Sequence, residues 1–385
     1  MSDSSRVRVS IVSESSYGVT PASPAFLVLP ITGVSMKDRV GYVQSNVINS
    51  SRDVEDMARL SRSAGGGIPI ELRYSPTTEG LGVALTGMLC STWTAATTQV
   101  TSVTSSSGVL SASGIETGIE VGDIVRVRDG SDALLAYARV SAVGAGSITL
   151  ETGHGVADGS SRKVLRGARM KNGTTTPSFS VEVAYLDLQK AVVYTGCVFA
   201  TADMTVALGS LATIVFSLEG KTSTHINSNT GTPDQFIASA TYTAAATHPS
   251  LDPIGVTTLK VGAAAYAASS VAVSWDNNVR AREQLGTLGP TSMARGQFGV
   301  SGRASAYFET FTDHTTFVGN TATDMWFVMI DANNRGYSVS YPQAKFTDID
   351  TPVNSNNADI FKAIALAATK DPTELCSMRL QVWAG

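Results

Sequence analysis

The sequence predicts a mainly β chain with one short helix and a small inserted β-barrel-like module. Three observations predict it. Runs that alternate apolar and polar residues recur at 7–12, 178–186 and 299–308, and alternation at period two marks a strand with one buried face. Such runs are short and separated by turns rich in Gly, Asn and Asp. Helical spacing is clear at 78–90, where Leu81, Leu85, Met88 and Leu89 share a face.

Residues 1–24 read as an N-terminal arm, with many serines and an alternating run at 7–12 that has the pattern to pair with another strand. The turn Ser16-Tyr17-Gly18-Val19-Thr20-Pro21 leads into an apolar strand at 26–30. Residues 36–62 are the most charged region, with Lys37, Asp38, Arg39, Arg52, Asp53, Glu55, Asp56, Arg59 and Arg62. A connection of that length without periodicity reads as a solvated loop, functional or disordered. Gly65-Gly66-Gly67 reads as a hinge or bulge ahead of a strand at 68–75. The helix at 78–90 takes Thr77 or Thr78 as its cap. No charge lies between Glu79 and Glu116, and 94–114 is nearly all Ser, Thr, Ala, Val and Gly. This is the entry to an inserted module at 97–170. Its signature, Val121-Gly122-Asp123-Ile124-Val125-Arg126-Val127-Arg128, is a turn followed by a strand, and strands at 134–143, 147–151 and near 162–167 complete a small SH3-like or OB-like barrel. The expected organisation is an arm at 1–24, a discontinuous β domain at 25–96 and 171–385, and the surface module at 97–170.

The main body resumes at Pro177 with strands at 178–186, 192–199, 204–207 and 213–219. Residues 221–255 form a polar excursion. A strand at 271–275 ends in the turn Asp276-Asn277-Asn278. The strand at 299–308 follows, then a hairpin of 325–330 and 337–341 that Pro342 closes. Phe361–Thr369 reads as a short helix or a buried strand, and 378–383 as a terminal strand. No fixed-period repeat stands out.

Composition narrows the function. Only 16% of the 385 residues are charged while 43% are hydrophobic; typical charged usage is about 25%. A surface short of charge implies burial against other protein. The net charge of −4 argues against gripping nucleic acid, which needs Lys and Arg on the phosphates. It is compatible with letting nucleic acid slide past. No apolar run is long enough for a membrane helix, and the N-terminus lacks a secretory h-region, so synthesis in the cytoplasm without general export is expected. Cys90, Cys197 and Cys376 are widely spaced, as small buried residues in a reducing compartment would be. His154, His225, His248 and His314 lack ligand spacing and are expected at the surface. Phosphate-loop, nucleophile-elbow and dinucleotide motifs are missing, and no Lys-Ser or Lys-Thr follows Gly67. Asp348 and Asp350 read as a solvated or lumen-facing pair, and no spacing nominates the paired carboxylates of a glycoside hydrolase. No catalytic, cofactor or metal residue is expected.

The order of these segments resembles the tail tube (major tail) proteins of long-tailed bacteriophages. The resemblance rests on Tyr17-Gly18-Val19-Thr20-Pro21 with its strand and charged stretch, and on Gly67-Ile68-Pro69-Ile70-Glu71-Leu72-Arg73-Tyr74 with the following helix. It continues in Trp275-Asp276-Asn277-Asn278, the 299–308 strand ending in Tyr307-Phe308, the strand running into Pro342, and the final strand near Leu380. It covers most of the chain except 97–170 and the 221–255 excursion. It implies the tail-tube fold, two packed antiparallel sheets (sandwich- or barrel-like) with the short helix flanking them, and a structural virion subunit in the viral tail, made in the host cytoplasm, that forms hexameric rings stacked into a hollow tube. The implied partners are further copies, tail terminator, tape-measure and tail-tip proteins, and phage DNA in transit without sequence-specific binding. Ring closure would remove open strand edges, and an acidic lumen would repel DNA. On this reading Tyr17, Pro21, Lys37, Asp38, Arg39, Arg52, Asp53, Glu55, Asp56 and Arg59 are expected at inter-subunit contacts. The alternative is another virion β-protein, a capsid decoration or tail-tip adhesin, binding host glycan through the inserted module.

Overall fold

The computed structural model describes residues 3–48, 53–54, 56–262, 264–353, 356 and 359–385. A 3-10 turn at Ser4–Arg6 opens the chain, followed by β1 (Val7–Ser13), β2 (Ala25–Val28), β3 (Lys37–Gln44), β4 (Met57–Glu71) and α1 (Gly80–Leu89). The next six strands are β5 (Val100–Ser106), β6 (Val109–Ser111), β7 (Ile124–Arg128), β8 (Leu134–Gly144), β9 (Ser147–Leu150) and β10 (Gly159–Leu165). Then come β11 (Ala168–Lys171), β12 (Phe179–Tyr185), β13 (Lys190–Ala207), β14 (Thr213–Gly220), β15 (Thr222–Ile226) and β16 (Thr241–Thr243). A second 3-10 turn, Pro253–Gly255, precedes β17 (Val256–Val261), β18 (Ala264–Ala265), β19 (Ala268–Asp276), β20 (Arg280–Arg282), β21 (Ser292–Ala294) and β22 (Gly299–Tyr307). The chain ends with α2 (Thr312–Val318), β23 (Thr323–Ile330), β24 (Arg335–Asp350), β25 (Phe361–Thr369) and β26 (Arg379–Ala384).

The mainly β expectation holds. Eighteen strands connect into one sheet system. One layer runs β16, β2, β1, β12, β13, β15, and its β2–β16 contact is the parallel one among the pairings. The second layer runs β3, β4, β14, β13, β19, β22, β25, β24. Beyond it, the first half of β24 pairs with β23 and β26, which carry β17 and β11. The long strands β13 and β24 bend and serve two layers each. Pro342 therefore does not end a strand: it lies inside β24, buried, where the chain passes from β23 to β25 and the register shifts. A residue without an N–H is tolerated where the ladder is already interrupted. Phe361–Thr369 is a strand.

Two further expectations change. Residues 37–44 and 57–62 are not a loop: β3 and β4 form an antiparallel hairpin from Lys37↔Gly65 to Gln44↔Met57. Gly65, Gly66 and Gly67 are no hinge either. They lie within β4, where the Ser35–Met36 backbone crosses so closely that a Cβ on Gly66 would sit 2.3 Å from the Ser35 carbonyl oxygen. Ser35 is bonded there both ways: its N–H donates to Gly67 O, and its Oγ accepts from Gly67 N–H, each at 2.9 Å.

Helix α1 is apolar all round, so it sits between layers, against β13, β1 and β11. Neither Thr77 nor Thr78 caps it; Glu79 holds the N-cap position without a side-chain bond. Its C-terminus is closed from outside by Asn277, whose Nδ2 donates to the Met88 and Phe199 carbonyls at 2.8 and 2.9 Å. Beneath it Phe179, Phe199 and Phe216 meet edge to face at 5.3 and 5.2 Å. Gly87 allows this approach, because a Cβ there would come within 2.5 Å of the Phe199 ring. Gly87→Val is accordingly expected to cost about 1–3 kcal/mol through overpacking. A urea midpoint unchanged from the parent would mean that the helix can shift.

Strands β5–β10 close into a six-stranded barrel in the order β10, β5, β6, β9, β8, β7. Its own core includes Val103, Leu110, Val125, Val127, Val140 and Ile148. It docks on the outer side of β23 and β26 through Ile124 and Tyr137 against Trp326, Val328, Ile330 and Trp383. Gln381 completes the contact as a surrogate strand partner: it accepts from Ile124 N–H at 2.8 Å and donates to Ile124 O at 2.9 Å. Ion pairs surround this patch. Asp123, fully buried, accepts from Arg169 and Arg379, and Glu374 pairs with Arg139 and Arg379. Burial pushes the Glu374 carboxyl above its usual range even though both arginines pull it back. The excursion at 221–255 covers the outer side of the other layer, where Phe236, Ile237, Ala240 and Tyr242 pack on residues of β1, β2, β12 and β13.

Candidate assembly surface and open sheet face

The second layer buries one face and leaves the other open. Along β14, Ile214, Phe216 and Leu218 point into the core, so Thr213, Val215, Ser217 and Glu219 point out. The same alternation turns out Thr201, Asp203 and Thr205 on β13, Ser270, Ala272 and Ser274 on β19, and Ser301, Arg303 and Ser305 on β22. The neighbouring strand β25 adds Ala363, Ala365 and Ala367, and the end of β24 adds Asp348 and Asp350. Small and hydroxyl-bearing side chains therefore pave the middle strands of this eight-strand layer, with charged residues of β3, β4 and β24 toward its ends. Two shallow hollows of about 370 Å³ each lie along this face, one beside Asp203, the other beside Asp348, with Arg303 in both. Acidic groups outnumber basic ones there: Glu71, Asp203, Glu219, Asp276, Asp348 and Asp350 against Lys37, Arg39, Arg303 and Lys345. Sequence reasoning found Asp348 and Asp350 but not the other acids, because the exposed side of a strand cannot be assigned until its buried side is known.

The face ends at two unsatisfied strand edges. β3 pairs with β4 alone, and residues 345–350 of β24 have β25 on one side and no strand on the other among the described residues. Among the described residues, the distal part of the β3–β4 hairpin pairs with no third strand. It presents Val40, Tyr42, Val43, Met57 and Leu60 to solvent, with Tyr42 57% and Leu60 60% exposed. Contiguous apolar exposure on a projecting hairpin marks an interaction surface.

The expected contact residues divide into two groups. Tyr17 is held within the chain: its ring packs over Gly196, with Lys221 Nζ 5.6 Å from the ring centre, and burial pushes its phenol well up. Glu14, which the sequence did not single out, fixes that turn by accepting from the N–H groups of Gly18 and Gly196, each at 2.8 Å, and from Ser178 and Ser180. Pro21 is half-buried. Asp38 is also engaged internally, with Ser223 at 2.7 Å, His225 at 3.1 Å and Arg62 at 3.4 Å. Burial alone would raise its carboxyl, but these three partners together hold it below the ordinary value. Lys37, Arg39, Asp53, Asp56 and Arg59 are exposed, and Arg39 reaches Glu219 at 2.5 Å. Arg52 and Glu55 lie outside the described residues.

A family model described as phage tail tube protein matches residues 4–367. The chain belongs to the phage tail tube proteins. Membership makes it a structural protein of the bacteriophage virion. A comparison with individually described proteins finds no match. The three cysteines of this tube protein are buried and unpaired. Of its histidines, His225 and His314 are exposed, whereas His154 and His248 are half-buried. His154 accepts from Val156 N–H at 3.0 Å, and His248 lies 2.9 Å from Arg335. No group of three or more His, Cys, Asp or Glu residues is placed to hold a metal ion among the described residues, and no described helix is long and apolar enough to cross a membrane.

Proposed function

We propose that this tube protein closes into rings that stack as a hollow tube and conduct phage DNA to the host. The observation that carries the reading is the eight-strand open face ending in unpaired edges. A sheet with two bare edges and one solvated face is an aggregation hazard unless a defined partner covers each edge. Ring closure by a heterologous contact does so, and stacking uses the remaining contacts. The face that would line the bore carries small hydroxyl and acidic side chains, which give phosphates nothing to grip and repel them over the Debye length. The projecting end of the hairpin, with Asp53, Asp56 and Arg59 around its apolar residues, is the proposed contact to neighbouring rings, and Lys37 and Arg39 at its base are proposed to meet the next copy within a ring. Tail terminator, tape-measure and tail-tip proteins are the proposed partners at the tube ends, and synthesis takes place in the host cytoplasm. The barrel at 100–165, facing away from the open face, is the proposed outer surface domain.

Negative-stain electron microscopy of the purified protein across a concentration series tests the reading. Rings or hollow tubes are expected. Dispersed monomers at every concentration and salt would overturn it and turn attention to glycan binding by the barrel.

A further inference from the structure

The two halves of the chain follow one plan. A 3-10 turn capped by an aspartate leads into a strand twice: Asp3 before Ser4–Arg6 and β1, and Asp252 before Pro253–Gly255 and β17. A hairpin follows in each half, β3 with β4 and β19 with β22, and then a helix, α1 or α2. Three strands complete each half: β12, β13, β14 in the first, after the inserted barrel and β11, and β23, β24, β25 directly after α2 in the second. The pairings repeat one by one. β1–β12 matches β17–β23, β12–β13 matches β23–β24, and β13–β15 matches β24–β26. In the open layer β4–β14 matches β22–β25, and β13–β14 matches β24–β25. All are antiparallel, and each long strand carries one register shift in the last of these pairings, between Phe199 and Thr201 and between Phe346 and Asp348.

One pairing breaks the symmetry and thereby reveals its purpose. The end of β13, residues 201–207, pairs with β19, the first hairpin strand of the second half. The matching end of β24 has no such neighbour among the described residues, and β3, the strand matching β19, has a bare edge. The charges across these two edges are complementary on the open face, Asp348 and Asp350 on β24 against Lys37 and Arg39 on β3, and opposite charges facing across antiparallel strands are favourable.

We infer that the chain is a tandem duplication of one tube unit, and that β3 of a second copy pairs with the end of β24 as β19 pairs with β13, so that three chains, not six, close a ring. The inference rests on the tube reading above. Size supports the count. Strands about 4.8 Å apart and tilted about 40° give a barrel roughly 48 Å across at the backbone for three chains of eight strands, and roughly twice that for six. Side chains reduce the smaller bore to roughly 40 Å, which clears a duplex whose groove depths imply a width of about 20 Å. Six chains would leave most of the bore empty.

Native mass spectrometry of rings or short tubes, with end-on electron-microscopy averages, counts the chains. A ring of three 40.1 kDa chains weighs about 120 kDa, and of six about 240 kDa. The expected result is three chains with threefold symmetry and six similar lobes. Six chains per ring would overturn the duplication and leave the tube reading standing; no rings or tubes at all would overturn both. A charge swap tests the edge itself. Asp348→Lys with Asp350→Lys is expected to abolish ring closure, and adding Lys37→Glu with Arg39→Glu to restore it. Full assembly of the double variant, or no recovery in the quadruple variant despite an unchanged melting temperature of the monomer, would remove the β3–β24 pairing.

Discussion

Replacing Asp123 with alanine is expected to cost about 3–5 kcal/mol of stability and to loosen the small barrel from the sheet beneath it. The magnitude follows from what would be left behind. The Asp123 side chain is fully buried; its Oδ1 faces Arg379 at 2.8 Å, and its Oδ2 accepts from Arg169 and faces Arg166 at 3.7 Å. Arg379 and Arg166 are themselves almost fully buried. Removing the carboxylate strands guanidinium charge away from water, and that penalty exceeds anything the pair contributes by attraction alone. The contact is not purely ionic. Tyr137 meets Trp383 edge to face at 5.0 Å, and each apolar side chain buried in the patch contributes about 1.5–3 kcal/mol. The apolar patch therefore holds the barrel on, while the Asp123 ion pairs, together with Gln381, fix how it sits. Tryptophan fluorescence through a urea titration reads the effect directly, because Trp326 and Trp383 line the joint. The Lys163–Asp132 pair supplies the contrast: Asp132 is mostly exposed, and Lys163→Ala is expected to leave the urea midpoint close to the parent's. An Asp123→Ala midpoint as close to the parent as that would overturn the account.

The sequence made the strands with a buried face legible and hid those without one. Ser178–Leu186 and Gly299–Phe308 alternate because one side of each meets the core, and both appear as strands, β12 and β22. The helix was readable for the related reason that α1 must present leucines and Met88 to two layers. The hairpin of β3 and β4 was not readable as strands, since its distal part has solvent on both sides and so no reason to alternate. Pro342 misled because the bend in β24 that accommodates it is a property of three strands and not of one. Glu14, Asp123 and Asn277 were invisible as organisers for the same reason: each gathers groups distant in sequence, such as Met88, Phe199 and residue 277. The duplication is masked by insertion. Between α1 and β12 lie the barrel strands, whereas between α2 and β23 only residues 319–322 intervene, so no fixed period survives in the sequence.

The hairpin carries the second large expectation. Tyr42→Ser combined with Leu60→Ser should raise the concentration needed for assembly by roughly 30–100-fold and leave the folded subunit nearly unchanged. The two side chains sit on paired strands of the projecting hairpin, Tyr42 opposite Arg59 and Leu60 beside it, and more than half of each is exposed in the single chain. Covering that much apolar surface in a neighbouring copy stabilises assembly by about 1 kcal/mol or slightly more per side chain. Two such losses, near 2–2.7 kcal/mol together, correspond to the stated factor at about 1.4 kcal/mol per tenfold. Because neither residue contributes to the core, surface substitution should move the subunit's own stability by no more than about 0.5 kcal/mol. The charged residues of the hairpin behave differently. Arg39 already reaches Glu219 within the chain, and an exposed pair of this kind is worth about 0–1 kcal/mol, so Arg39→Ala alone should leave the assembly threshold almost where it was. Sedimentation across a dilution series gives the threshold, and thermal unfolding of the dilute subunit gives the control. If the double serine variant assembles at the parent's threshold, the hairpin's apolar residues remain exposed in the tube and the contact between rings must be sought elsewhere on the surface.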